Sequence, residues 1–310
     1  MKIGGVVRLA EDLNGQNRPN GRCPSYGEIR DVARRMEEAG FDVLWFADHL
    51  LYRYENQPTM GIWECWTILS ALAESTQRIE LGTSTLCASF RNPAVLAKMA
   101  ATLDEVSGGR LILGLGAGWN EPEYRAFGLP FERRVDRFEE ALQIIVPLLR
   151  TGRVDFEGHY YSARDCELSP RGPRASGPPI LIGSLQPRMT RLAARFADIW
   201  NPVEYLSGAG RFLELRERFD AARAALGEAA APDVQVSAML KVGWADLGEL
   251  PGFFDGDCVT GSAEQVAQTF HDFETAGVDH VLCQYHPSTS AVLDRLIAGV
   301  EQYRRLSANS

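Results

Sequence analysis

No C-x-x-C pair occurs in the 310 residues, and the six cysteines (Cys23, Cys65, Cys87, Cys166, Cys258, Cys283) lie far apart. That argues against a disulfide framework and a zinc ribbon, and reads as mostly buried thiols. Long apolar runs are missing too: none approaches the ~20 residues of a membrane span. The opening MKIGGVVRLAEDLNG lacks the basic start and apolar stretch of a signal peptide, so a cytoplasmic protein is expected. The net charge is −9 with the basic residues scattered, which leaves no electrostatic footprint for nucleic acid. There is no G-x-x-x-x-G-K-[ST], no H-E-x-x-H and no G-x-S-x-G, so P-loop, zincin and α/β-hydrolase chemistry are unsupported. Only five histidines occur and the first strand carries no H-x-H, so no metal site is expected.

What is present is a soluble globular composition, 45% hydrophobic and 24% charged. Eight short apolar runs alternate with helical segments: 2–7, 43–48, 79–85, 110–116, 180–184, 198–201, 234–244 and 280–285. They are apolar almost throughout, as strands are when helices cover both faces of a parallel sheet. Capping boxes at Ser25/Glu28 and Ser262/Gln265 start two helices, and Gly40 and Gly277 stop them. EEAGFDVLWF (37–46) and ETAGVDHVLC (274–283) repeat one helix, glycine, strand joint. The pattern predicts a single (β/α)₈ barrel over residues 1–310, with an insertion at 151–179 before strand five. That segment holds a hairpin about Glu157 and Gly158 and a Pro, Gly and Arg tract, read either as a lid over the barrel mouth or as a surface excursion. The long first loop (8–24) and the aromatic second one (50–61) emerge at the catalytic face of such a barrel.

Within that frame, GLGAGW (114–119) fails as a dinucleotide fingerprint. Trp119 stands where the third glycine belongs, and three β/α units come before it. Gly114, Gly116 and Gly118 either let a flat ring or a phosphate approach the backbone, or let the mouth pack tightly. Asp48 and His49 close the second strand and are the strongest ionisable pair. Neighbouring strand residues point oppositely, so His49 is the candidate facing the axis, as acid or base. Asp48 then holds the loop from Leu50 or sets the histidine's tautomer; a purely structural pair is the alternative. His280 and His286 read as structural.

Taken together, EEAGFDVLWFADHL, the stretch from RIELGTST to EEALQII (78–145) and PPILIGSLQPRMTRLAARFADIWN resemble the bacterial luciferase-like flavin and deazaflavin oxidoreductases. The resemblance covers nearly the whole chain, is most specific over 79–145 and is weakest over 203–260. It implies a (β/α)₈ barrel that binds coenzyme F420, a 5-deazaflavin, or reduced FMN at its C-terminal mouth. By the same resemblance Asp48-His49 matches the D-H pair of deazaflavin-using members, and Ser84-Thr85 the place of a non-proline cis peptide behind the ring. Gly116, Ala117 and Gly118 would let the ring approach, and the Gly183-Ser184 turn would offer N–H groups to the cofactor phosphate. Trp63 and Trp119 would wall the substrate pocket.

Sugar-phosphate dehydrogenases among the relatives carry a glutamate in place of Trp119 and lysines for the phosphate, whereas this chain has only Lys2, Lys98 and Lys241. The expectation is therefore hydride transfer between F420 and a small apolar or aromatic substrate. Two alternatives remain: an FMN-dependent, oxygen-using monooxygenase fed by a separate reductase, and a flavin-binding protein without catalysis. Neither nucleic acid nor a membrane is an expected partner. A homodimer through barrel helices is a further expectation, with Trp66 and Leu69 near one face.

Overall fold

The computed structural model describes residues 1–11, 21–248, 250 and 258–308. The middle of the expected first loop, residues 12–20, lies outside the described residues. The first half of the chain runs β1 (Lys2–Val6), α1 (Tyr26–Glu38), β2 (Val43–Phe46), α2 (Cys65–Ser75), β3 (Glu80–Thr83), β4 (Leu86–Cys87), α3 (Pro93–Val106), β5 (Leu111–Gly116), α4 (Glu121–Ala126) and α5 (Arg134–Thr151). Then follow β6 (Arg153–Glu157), β7 (Ser162–Glu167), β8 (Ile180–Gly183), α6 (Pro187–Phe196), β9 (Ile199–Asn201), β10 (Tyr205–Leu206), α7 (Ala209–Leu226), β11 (Gln235–Gly243), α8 (Ala263–Thr275), β12 (His280–His286) and α9 (Ser290–Ala308).

Strands β1, β2, β3, β5, β8, β9, β11 and β12 pair in that order, all parallel. β12 returns to β1 and the barrel closes. These are the eight expected strands. Several end earlier than the apolar runs suggest, β2 at Phe46 and β3 at Thr83, because the residues beyond them leave the ladder to build the mouth. β4 and β10 are two-residue additions beside β5 and β11.

Alternation along each strand divides the core in two. Val43, Trp45, Ile112, Leu181, Ile199, Met239 and Leu282 fill the barrel, while Leu44, Phe46, Leu111, Leu113 and Val281 pack outward against the helices. Trp45 fits because its neighbours lack side chains: a Cβ on Gly4 or Gly82 would collide with its indole. Fully burying an indole, ~200 Å², at ~25 cal/mol per Å² contributes roughly 5 kcal/mol.

The repeated joint has a physical basis. α1 and α8 start with complete capping boxes on Ser25 and Ser262, and Gly40 and Gly277 follow their ends at φ +81° and +83°. The chain then meets an aspartate at the foot of the next strand. Asp42 accepts the N–H of Ile3 (2.7 Å) and Asp279 that of Val236 (2.8 Å), so each joint ties a new strand to its neighbour.

Two expectations need correction. The 151–179 segment contains the hairpin, β6 with β7, but its Pro, Gly and Arg tract is fastened at the end of the barrel opposite the mouth. Arg174 reaches the buried carboxylate of Asp104 (Nε to Oδ2, 3.0 Å) and the carbonyl of Leu111 at the start of β5. The tract is therefore no lid over the mouth. Trp66 and Leu69 offer no dimer face either, since both are buried in the core under α2. Among the described residues no helix is long and apolar enough to cross a membrane.

Candidate active site

Positions two or four residues past the inner core layer again face the axis, now at the mouth. The sequence there is lopsided. Beyond Gly82, Ile112 and Leu181 come Ser84, Gly114, Gly116 and Gly183; beyond Met239 and Leu282 come Lys241, Gln284 and His286. One side of the mouth thus has almost no side chains, and the other carries long polar ones.

Thr85 covers the small side. A Cβ on Gly116 would collide with its hydroxyl, and one on Gly183 would stand 3.0 Å from its Cγ2 and 3.0 Å from Val203 Cγ1. Gly114 gives way to the Thr83 carbonyl, and Gly118, at φ +77°, to the Tyr124 hydroxyl. Tight packing at the mouth is therefore enough to require these glycines. Ala117 lies between them, its carbonyl accepting from Tyr124 Oη (3.0 Å). The Ser84-Thr85 peptide is cis.

The structure separates the Asp48-His49 pair. Asp48 is buried and turns into the wall, where its carboxylate accepts from Arg91 (2.7 and 3.2 Å) and from the Cys87 N–H (3.0 Å). Arg91 also reaches Glu64 (2.5 Å), whose carboxylate caps the first N–H groups of α2. Burial alone would lower the Arg91 pKa, but the hydrogen bonds and charges of Asp48 and Glu64 outweigh it and hold the pKa above its ordinary value. Asp48 makes no bond to His49. It holds the loop and does not set the tautomer.

That task falls to Glu123, which sequence reasoning missed. His49 Nδ1 lies 3.0 and 3.2 Å from the two oxygens of this buried carboxylate, which also accepts the Leu50 N–H (2.9 Å). An ionised carboxylate only accepts, so Nδ1 carries the proton and Nε2 remains, making no hydrogen bond among the described residues. Tyr52 packs on the imidazole at 4.3 Å between centroids, Trp119 meets it edge-on at 5.5 Å, and Tyr54 stacks on Tyr52. No local signal singled out Glu123. It sits in NEPEY beside Glu121, which pairs at the surface with Arg125, and its partner is 74 residues away.

The other expected residues divide. Trp119 is brought to His49 and is 59% exposed. Trp63, 49% exposed, belongs to another part of the rim, its indole N–H donating to the Pro24 carbonyl (2.6 Å). The Ser184 N–H, expected to face a phosphate, donates instead to the Asn201 carbonyl (2.8 Å), and Ser184 Oγ accepts from Trp200 (2.8 Å). The backbone N–H is taken because the register of β8 on β9 sets Gly183 opposite Asn201, while the hydroxyl keeps its own O–H to donate. His280 is at the other end of β12 from His286, bonded to Gln235.

These residues fit a flat ring with a polar edge. Ser84 Oγ is buried and has no hydrogen-bond partner among the described residues, in a side of the mouth that has no bulky side chains, and the aromatic rings of Tyr52 and Trp119 stand around His49. Fold and site thus give a (β/α)₈ barrel whose mouth has one side poor in side chains and a histidine held by a buried glutamate.

The profile of the luciferase-like monooxygenases matches residues 1–250, and the chain belongs to that family. It is 33% identical to an F420-dependent glucose-6-phosphate dehydrogenase of Amycolatopsis mediterranei, over 61% of this chain and 55% of that protein. It is 31% identical to the pyrimidine monooxygenase RutA of Pseudomonas syringae, over 70% of this chain and 64% of that one. The chain thus spans little more than half the length of the curated dehydrogenases it matches. An F420-dependent secondary alcohol dehydrogenase, solved with an F420-acetone adduct, superposes with a TM-score of 0.76 at 18% identity, covering 98% and 99% of the two chains; this likeness concerns the fold.

Proposed function

We propose that the protein is an oxidoreductase that moves a hydride between coenzyme F420 and a small apolar or aromatic substrate, with His49 giving or taking the accompanying proton. The observation that carries this reading is the His49–Glu123 pair. Glu123 holds the Nδ1 proton and leaves Nε2 as the site of exchange at the mouth.

Ser84, Thr85, Gly116, Ala117 and Gly118 would hold the ring, with Gly183 behind Thr85. When bound, the deazaflavin supplies or receives the hydride. Tyr52 and Trp119 fix the orientation of the imidazole, and the exposed indoles of Trp119 and Trp63 suit an apolar substrate better than a phosphorylated one. Resemblance to F420-dependent dehydrogenases supports the cofactor. A second reading, an oxygen-using monooxygenase working on reduced FMN from a separate reductase, is favoured by the longer alignment to the pyrimidine monooxygenase.

The test is an anaerobic calorimetric titration of the protein with each reduced cofactor in turn. Tight binding of F420 with weak binding of FMN is expected. The reverse selectivity would overturn the hydride-transfer reading in favour of the oxygenase, and binding of neither would remove both.

A further inference from the structure

Val203 follows β9 with φ +47°, in the left-handed region that β-branched residues avoid because Cβ crowds the backbone. Burial does not demand valine there, since the residue is 43% exposed. A buried chain of hydrogen bonds enforces the turn. The Val203 N–H donates to Asn201 Oδ1 (2.8 Å), Asn201 Nδ2 donates to Ser237 Oγ (2.8 Å), and that hydroxyl donates to the Trp200 carbonyl (3.0 Å). Asn201 and Ser237 are fully buried where β9 meets β11, so the turn is tied to the barrel seam.

The enforced conformation has one visible product: it puts an isopropyl group at the mouth. Val203 Cγ1 and Thr85 Cγ2 each stand 3.0 Å from the point where Gly183 would carry a Cβ, so both methyls border the space over that glycine. Unfavourable backbone conformations persist where the surroundings over-determine them, and they cluster at ligand sites. We propose that Val203 is a wall of the cofactor slot, held by Asn201 so that its apolar face meets a planar isoalloxazine-type ring resting by Thr85. The inference rests on the functional reading above and adds a cofactor-binding residue to it.

The test uses Val203→Gly and Val203→Ala, with urea midpoints measured without ligand and anaerobic calorimetry with reduced F420 and reduced FMN. Glycine relieves the left-handed turn and alanine does not, so the glycine variant should have the higher midpoint, the reverse of the usual order. Both variants lose two methyl groups against the ring and should bind the wild type's preferred cofactor about tenfold more weakly. An alanine variant as stable as the glycine one would overturn the strain, and wild-type affinity in both would overturn the wall. Wild-type protein that binds neither cofactor would instead bring down the functional reading, a result that weakened variants cannot imitate.

Discussion

At the scale of single residues, chemistry at the mouth depends on which partner holds His49. Glu123 Oε1 accepts from Nδ1 while Oε2 accepts from the Leu50 N–H, so both oxygens are used. Glu123→Gln keeps the shape but has one acceptor and one donor. Whichever way the amide turns, either Nδ1 or the Leu50 N–H faces an N–H group. If Nδ1 does, the histidine must take the other tautomer. Turnover should fall about 10²-fold, the lower end of what a positioned acid or base supplies, while cofactor affinity stays close to wild type. Glu123→Asp should recover part of the rate, and the ¹⁵N shifts of His49 should report the change of tautomer. A glutamine variant with an unchanged rate and unchanged ¹⁵N shifts would reduce the pair to a structural brace.

At the scale of elements, Arg91 is the tie of the wall behind the mouth. Its guanidinium joins the loop after β2 through Asp48, while Asp48 holds β4 at Cys87, and it meets the cap of α2 through Glu64. Removing one member of a buried ion pair leaves the other charged and unpaired, so Arg91→Ala should cost about 3–5 kcal/mol in urea denaturation. Asp48→Asn should cost less, because it removes a charge and keeps the acceptor for Cys87. Equal midpoints for Arg91→Ala and wild type would show that water replaces the pair. None of these ties was visible in the sequence, and the pattern of success has a cause. The eight barrel strands were legible because strands buried on both faces are apolar along their length, and the capping boxes because their partners lie three residues apart. What depends on distant partners was not: Glu123 meets His49 across 74 residues, and Arg174 carries its tract away from the mouth by meeting Asp104 across 70. Trp66 and Leu69 misled because α2 carries the apolar run CWTILSALA, with little polarity to mark an outer face.

For the whole molecule, stability should depend on pH through the foot of the last strand. His280 is 1% exposed, its Nε2 is 3.0 Å from Gln235 Oε1, and its buried Nδ1 has no hydrogen-bond partner among the described residues, so the ring sits neutral in the fold. Burial, then the positive charges of Lys2 and the amino terminus, lower its pKa from 6.5 to about 3. An unfolded chain takes up this proton below 6.5 and the folded one does not until far lower. The contribution of His280 is thus fully present above pH 6.5 and is lost as pH falls from there toward 3. Between pH 7 and pH 5 the loss is about 2 kcal/mol, at a slope that approaches about 1.4 kcal/mol per pH unit. His280→Asn, which has no proton to gain, should be less stable at pH 7 because it packs less well, yet should lose about 2 kcal/mol less than wild type on going to pH 5. Urea midpoints at the two pH values decide the matter, since exposed carboxylates titrate alike in both proteins. If both lose the same amount, His280 takes up its proton alike in the folded and unfolded chains, and the proton uptake that destabilises the fold lies elsewhere.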